Sequence, residues 1–327
     1  MASAGRVRAP AFAKVNLSLL VLHKRGDGYH EIRTVMQTVS LADRIEIEWT
    51  PDAPSGVNVA ATVPIEGKNL AASAAENVLR ELRLRGSVTV RIDKRIPMGA
   101  GLGGGSSDAA AVLLALPVLC RRAIAADRLA AMAAELGSDV PFFLTGGTAL
   151  ATGRGTEVYP LPEAHHGEAL LVKPAAGVAT AGAYAALNRP VTELTSPEAD
   201  SKIGRFQSLV RMLDCPETGE SWKSFSENDF EAAVLPRQPE LAEMVKRLGE
   251  ARADLVRMTG SGSALFALFR SRIGRERAGR RIKASFPGAL TEPVRFVTRK
   301  EYRAAWRKAL GGRMEVGAWP PRGRDDS

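Results

Sequence analysis

Residues 96–108 of the 327-residue chain read Ile96-Pro-Met-Gly-Ala-Gly-Leu-Gly-Gly-Gly-Ser-Ser-Asp108. Five of the seven residues from 99 to 105 are glycine, so the backbone there can adopt positive φ and approach a ligand without Cβ clashes. Consecutive N–H groups in such a turn form a concave anion site, and the free N–H groups of a following helix extend it. The stretch predicts a phosphate-binding loop, and the alternative is a glycine-rich connector without a ligand.

Three common phosphate loops fit this stretch poorly. Gly99-x-Gly101-x-x-Gly104 matches the dinucleotide fingerprint, but the acidic residue that should follow about 20 positions later is missing from residues 109–126. No lysine follows the glycines as it does in a P-loop, and the protein-kinase signatures are absent. The pattern favours a loop that binds nucleotide phosphates through backbone and serine groups, with a lysine supplied from elsewhere.

Length and composition predict a protein of about two domains with ordinary globular cores. The longest apolar stretch, Ala109 to Cys120, contains Pro117 and is too short to cross a bilayer, and no signal peptide is recognisable. Cys120 and Cys215 lie far apart, which favours a reduced, cytoplasmic protein over a disulfide scaffold. The four histidines and two cysteines lack metal-ligand spacing, so no structural zinc site is expected.

The formal net charge of +9 is concentrated in residues 270–308, which hold thirteen Lys and Arg against three Asp and Glu. A nucleic-acid surface or an anionic substrate would explain this excess. The simpler interpretation is a solvated basic helix followed by a tail.

The pattern of elements divides the chain into two parts. Strands are predicted at 44–49, 57–63 and 87–92, and helices at 70–82, 106–116 and 127–136. After a Gly- and Pro-rich interruption, a strand at 169–173 is followed by helices at 182–187, 225–235 and 239–251, strands near 257 and at 265–269, a basic helix at 274–285 and a strand at 294–298. We expect domains at 1–160 and 161–310, the second a ferredoxin-like α+β domain, and a disordered tail at 311–327.

The glycine stretch resembles the glycine/serine loop of the GHMP kinases, which include galactokinase, homoserine kinase and mevalonate kinase. Five further segments of the sequence are similar to motifs of one branch of that family and follow in the same order: Ala9–Leu19, Arg25–His30 with Gln37, Leu136–Phe143, Glu227–Phe230 and Thr259–Ser263. The resemblance spans about residues 9–298. It implies the two-domain α+β GHMP kinase fold, with an N-terminal ribosomal-protein-S5-like α/β domain and a ferredoxin-like second domain.

The resemblance implies transfer of the γ-phosphoryl group of ATP to the 2-hydroxyl of a cytidine diphosphate-linked methylerythritol, in the non-mevalonate route to isoprenoid precursors. The ATP-binding residues it implies are Pro97, Met98, Gly99, Ala100, Gly101, Leu102, Gly103, Gly104, Gly105, Ser106 and Ser107. Magnesium is expected to arrive with ATP and to touch Ser107, without a protein ligand cluster.

Lys14 and Asp139 are the candidate catalytic residues. Lys14 lies in an apolar, strand-like stretch, where an ammonium group is costly unless it is paired or functional, and an edge-strand surface position is the alternative. Asp139 follows Gly137-Ser138 and precedes an apolar segment, where a turn or helix cap is the alternative. The resemblance places the lysine in the active site and makes Asp139 the general base.

The remaining site residues also come from the resemblance. It implies that Tyr29 and His30 hold the cytidine and that Asn16 and Thr180 contact substrate, whereas without it Tyr29 and His30 are ordinary turn residues. Tyr184 stands where the family often has a phenylalanine as the second aromatic platform. The Gly260-Ser-Gly262 turn is expected near the substrate diphosphate, or else serves as a tight strand connection.

Two rival functions remain open. One is another small-molecule kinase of the same superfamily, and the other is a non-catalytic module that binds RNA through the basic segment. We expect a small-molecule substrate, no membrane or nucleic-acid partner, and a monomer or weak homodimer.

Overall fold

The computed structural model describes residues 4–65, 67–165, 168–175, 180–187, 197–214, 222–315 and 317–323. Their strands form two sheets, one on either side of the boundary expected near residue 160. The exact domain limits of 1–160 and 161–310 stay a prediction.

The strands of the first sheet are β1 (Gly5–Lys24), β2 (His30–Pro51), β3 (Gly56–Ala61), β4 (Gly86–Asp93), β5 (Thr148–Thr152) and β6 (Glu157–Pro160). Their order in the sheet is β3-β4-β2-β5-β6, with β1 paired to β2. β1 and β2 form a long antiparallel hairpin, and β3 runs parallel to β4.

Four helices belong to the first sheet: α1 (Leu70–Glu81), α2 (Gly104–Leu119), α3 (Ala126–Leu136) and α4 (Val140–Thr145). Every residue of α2 from Ser107 to Leu119 is buried, which explains its uniformly apolar sequence. The helix was expected to end near Pro117. It continues to Leu119 because Cys120 N still donates to Leu116 O and the surrounding core holds this last turn in place.

The strands of the second sheet are β7 (Glu168–Lys173), β8 (Leu255–Met258), β9 (Leu265–Phe269) and β10 (Leu290–Val294). This sheet is antiparallel, with strand order β10-β7-β9-β8. This is the order of a ferredoxin-like fold, so the predicted α+β second domain is confirmed. The helices that follow β6 are α5 (Thr180–Leu187), α6 (Pro197–Asp214), α7 (Trp222–Phe225), α8 (Asp229–Val234), α9 (Pro239–Glu250), α10 (Arg272–Ser285) and α11 (Arg299–Leu310).

Two predicted elements differ from the structure. The helix expected at 225–235 is divided into α7 and α8, because Asn228 is extended and accepts a hydrogen bond from Phe230 N as the cap of α8. The strand expected at 294–298 ends at Val294. The chain then crosses to the first sheet, where Val297 N donates to Thr38 O.

The prediction of a disordered tail is wrong for residues 311–315 and 317–323. Met314 is buried in the core of the first sheet, and Trp319 packs edge to face on Tyr302 of α11. The prediction rested on the glycine, proline and charged residues of the segment. Contacts of two apolar side chains, Met314 and Trp319, are sufficient to hold it against that core. Residues 316 and 324–327 lie outside the described chain.

The strand β1 contributes to both cores. Val7, Ala9 and Ala11 pack with α2 in the first core, whereas Val15 and Leu17 pack in a second core with Phe266 and other residues of the second sheet. The middle of β1 therefore lies where the two halves meet, and the functional site is built around it.

Candidate active site

Lys14 and Asp139 meet in a cleft between the two halves. Lys14 is almost fully buried on β1, and its Nζ lies 3.3 Å from Oδ2 of Asp139, whose side chain is 35% exposed. Irregularities in the β1–β2 pairing flank residues 13–16, and Lys14 N donates to Leu102 O of the glycine loop. Such bulges re-aim side chains, which explains how a strand residue reaches the cleft.

Asn16 orients this lysine. Its Oδ1 accepts hydrogen bonds from Lys14 Nζ (2.7 Å) and from Gly260 N (2.8 Å), and its Nδ2 donates to Thr34 Oγ1 (2.8 Å). Because both polar atoms of the amide group are hydrogen-bonded, Asn16 ties β1 to the Gly260-Ser-Gly262 turn. The turn therefore lies at the cleft, beyond its role as a strand connection.

The glycine loop runs from Pro97 to the start of α2. Gly99, Gly101 and Gly103 have φ of 62°, 75° and 72°, and a Cβ at Gly101 would lie 2.1 Å from Thr259 O. The left-handed conformation and the close approach to Thr259 together require glycine at position 101.

The helix α2 begins at Gly104 without a side-chain cap, and its first N–H groups have no partner within the helix. They face a cleft of about 320 Å³, which is lined by the loop together with Lys68, Asn69 and Lys94. Ser106 borders both this cleft and the one that holds Lys14 and Asp139, whereas Ser107 is buried.

The second cleft, of about 600 Å³, is lined by aromatic side chains on the side away from the loop. Tyr184 contacts two other rings in this cleft. The ring of His30 stacks on it with 4.8 Å between centroids, and Phe230 packs edge to face against it, also at 4.8 Å. Tyr29 is half exposed, and the guanidinium of Arg154 lies 5.1 Å from its ring centroid. The structure thus brings Tyr29, His30 and Tyr184 to one cleft.

Burial sets the ionisation of this aromatic side. It lowers the pKa of His30 below 6.5, with Lys24 and His23 acting in the same direction, so the imidazole is neutral at pH 7. Burial also raises the pKa of Tyr184 to about 12. Both rings are therefore uncharged hydrogen-bonding and stacking surfaces. Thr180 begins α5, but its side chain lies outside the described residues.

The match to known proteins agrees with this geometry. The model of the GHMP kinase N-terminal domain matches residues 69–147, and that of the C-terminal domain matches residues 211–288. A 4-diphosphocytidyl-2-C-methyl-D-erythritol kinase of Solibacter usitatus (strain Ellin6076) is 44% identical over 96% of both chains. The chain belongs to this kinase family. As a family member it is an enzyme, a small-molecule kinase with the two-domain GHMP fold.

One further relative and two solved structures are also similar to the chain. A kinase of the same name from Geobacillus sp. (strain WCH70) is 40% identical over 80% of this chain and 87% of its own. A crystal structure of 4-(cytidine 5'-diphospho)-2C-methyl-D-erythritol kinase superposes with a TM-score of 0.70 at 36% identity, over 88% of this chain and 99% of its own. Homoserine kinase from Cytophaga hutchinsonii shares the fold, with a TM-score of 0.69 at 20% identity, over 90% of this chain and 96% of its own.

Two charged groups at the clefts of this family member, Arg154 and Lys94, are not among the residues predicted from its sequence. Arg154 lies in the Gly- and Pro-rich interruption, which the sequence pattern marks only as a boundary between the two halves. Lys94 precedes the glycine loop, and its ammonium bridges Asp108 (2.8 Å) and Asp43. Lys94 lies three residues before Pro97, and this position beside the loop was the available signal for a charged group at this cleft.

The basic segment contains α10, which packs on the second sheet through apolar residues while most of its basic side chains are exposed. α10 buries Ala278, Gly279 and Ile282 against the second sheet, and Arg275 pairs with Glu168 at 2.6 Å. No helix within the described ranges is long and apolar enough to span a membrane.

Proposed function

We propose that the chain transfers the γ-phosphoryl group of ATP to the 2-hydroxyl of 4-diphosphocytidyl-2-C-methyl-D-erythritol, giving the 2-phosphate and ADP. The names of the relatives support this substrate and its place in the non-mevalonate isoprenoid route. One observation carries the proposal: the Lys14–Asp139 pair lines a cleft that shares Gly101 and Ser106 with the cleft at the glycine loop.

On the nucleotide side, the loop from Pro97 to Ser107 holds the phosphates. The unpaired N–H groups at the start of α2 and the Ser106 hydroxyl supply hydrogen-bond donors, and the helix dipole favours negative charge there. No group of three or more metal-ligating side chains exists among the residues in the described ranges, so Mg²⁺ would come with ATP. When bound, it neutralises charge on the phosphate oxygens.

At the reaction centre, Asp139 accepts the proton of the substrate hydroxyl. Its side chain is open to the cleft, unlike the buried carboxylates elsewhere in the first half, so a hydroxyl can reach it. Lys14, held by Asn16, stabilises negative charge on the transferring group, and its ammonium keeps the carboxylate oriented.

On the substrate side, Tyr29 and Tyr184 are the platforms for the cytosine, and the neutral His30 hydrogen-bonds to the base. Asn16 and Thr180 stay proposed substrate contacts. Arg154 lines the same cleft and offers a permanent positive charge to the substrate diphosphate. We place the enzyme in the cytoplasm as a monomer or weak homodimer that binds no nucleic acid.

A substrate panel tests the proposal. The purified chain with Mg-ATP should form ADP with 4-diphosphocytidyl-2-C-methyl-D-erythritol and not with homoserine or mevalonate. Turnover of homoserine or mevalonate alone would assign it to another branch of the superfamily. Nucleic-acid affinity that falls steeply with salt, together with no ATP turnover on any alcohol, would favour the RNA-binding alternative.

A further inference from the structure

The helix α4 begins directly after Asp139, and its last residues contact the C-terminal part of the chain. It has only six residues, Val140–Thr145, with Asp139 as its N-cap. On one side, Phe143 packs against the glycine loop so closely that a Cβ at Gly103 would lie 2.9 Å from its ring. A displacement of α4 would therefore move the carboxylate relative to both Lys14 and the loop.

The last carbonyl groups of a helix lack partners within the helix. In α4, two of them accept hydrogen bonds from aromatic side chains at the end of the chain. The Tyr302 hydroxyl of α11 donates to Phe143 O, and Trp319 Nε1 donates to Leu144 O at 2.8 Å. A six-residue helix has little cooperative stability of its own, so these contacts fix where it lies.

Residues 314–323, of which 316 lies outside the described chain, form a segment that we name the C-terminal strap. Glu315 N donates to Arg322 O (3.0 Å) and joins the two ends of the strap, while Gly323 N donates to Arg122 O (3.1 Å) and Met314 is buried in the core of the first sheet, so both ends are held. Between them the Trp319 ring is covered by the guanidinium of Arg303, 5.1 Å from its centroid. The indole is therefore a fixed donor.

The turn after α4 packs closely against Tyr302. Gly146 has φ of 68°, and a Cβ there would lie 2.4 Å from Cγ of Tyr302. The ring of Tyr302 thus occupies the space that a side chain at the end of α4 would need. Tyr302 is fully buried, and burial raises the pKa of its hydroxyl, which stays a neutral donor.

We propose that Tyr302 and Trp319 are positioning residues for phosphoryl transfer, which hold α4 so that Asp139 reaches the acceptor hydroxyl. This proposal rests on the role of Asp139 in the proposed function. The two side chains touch neither cleft, so their effect is on the geometry of the base and not on the binding of ATP or substrate.

The test compares Trp319→Phe, Tyr302→Phe and the double variant with Trp49→Phe. Each of the first two keeps an aromatic ring and removes the donor to α4. Trp49 is the matched control, because it is fully buried in the same core and its Nε1 has no hydrogen-bond partner among the described residues. All variants are assayed well below their own unfolding temperatures.

We expect Trp319→Phe and Tyr302→Phe each to lower kcat about tenfold with unchanged KM for both substrates, since a misplacement of about 1 Å costs up to about 10²-fold. Trp49→Phe should lower the unfolding temperature without lowering kcat. Unchanged kcat in both donor variants, or an equal loss of kcat in Trp49→Phe, would overturn the positioning role. Absence of kinase activity in the wild type would instead overturn the proposed function.

Discussion

Two lysines with buried side chains, Lys14 and Lys94, flank the glycine loop, and each lies beside one of two consecutive glycines. A Cβ at Gly103 would lie 3.2 Å from Cγ of Lys14, and a Cβ at Gly104 would lie 3.2 Å from Nζ of Lys94. Both ammonium groups face aspartates, so their immediate chemistry is alike. Their surroundings differ.

Lys94 is enclosed between two buried carboxylates, Asp43 and Asp108, whereas Lys14 faces a carboxylate that is open to the cleft. Asp43 also accepts a hydrogen bond from Ile96 N (2.8 Å), so the Lys94 cluster fastens the start of the loop to the second turn of α2. Lys14 reaches a group that substrate can approach. The same pair of residue types therefore holds a loop in one place and is proposed to perform chemistry in the other, according to whether the carboxylate is exposed.

Asp139→Asn should give the largest effect. We expect kcat to fall by about 10²–10⁴-fold, because the amide cannot accept the proton of the hydroxyl. The KM for ATP should stay close to wild type, since Asp139 does not line the cleft at the glycine loop. Turnover near the wild-type level would remove Asp139 from the mechanism and make the two lysine sites equivalent.

Lys94→Met should act on stability instead. Removal of the ammonium leaves Asp43 and Asp108 buried without their counter-charge, which costs about 3–5 kcal/mol in the free energy of unfolding. Urea unfolding measures this loss. An enzyme with full stability but much weaker ATP binding would show that Lys94 acts on the nucleotide and not as a fastening of the loop.

Two alanine substitutions distinguish a glycine that the loop conformation requires, Gly103, from one that lines the cleft, Gly105. Gly103 is left-handed and close to Phe143, so alanine there should cost about 1–3 kcal/mol in stability. A Cβ at Gly105 meets open space in a helix, so alanine there should preserve stability. We expect Gly105→Ala to raise the KM for ATP if the phosphates lie against that face. An unchanged KM would place the phosphates elsewhere.

Asp108→Asn tests the Lys94 cluster through the pH dependence of the free energy of unfolding. Burial raises the pKa of Asp108 to about 7, with Asp43 adding to the rise and Lys94 opposing it. Between the unfolded pKa near 3.8 and pH 7 the native state binds the extra proton, so wild-type stability falls as pH rises. From pH 5 to pH 6 the variant should gain about 1 kcal/mol over wild type in urea unfolding. Parallel stability curves would contradict this titration.

The nucleotide side could be predicted from sequence because its requirements are local. Glycines with positive φ and a helix start lie within one contiguous stretch, and the resemblance added Lys14 and Asp139, which the structure brings to 3.3 Å. The Lys94 cluster could not be predicted, because Asp43 and Asp108 meet only through the pairing of strands and helices distant in sequence.

The C-terminal elements were missed for a different reason. α11 begins with a capping box, Thr298 and Glu301, which is a recognisable signal, but its many charges favoured the interpretation as a basic tail. Trp319 is an isolated aromatic residue among Gly, Pro and Arg, and a single side chain has no periodicity to detect. Its partner, a carbonyl at the end of α4, becomes visible only in the folded structure.

The continuity of β1 through both cores constrains how the enzyme can open. A hinge between two lobes usually lies in a linker, but here one strand of 20 residues, with irregular pairing at residues 12–18, is packed on both sides of the cleft. Rotating the lobes apart would require bending that strand and disrupting its packing in one of the two cores. Substrate admission must therefore fall to short local segments such as the turn at residues 25–29, and ligand binding should slow amide exchange there while the radius of gyration stays constant.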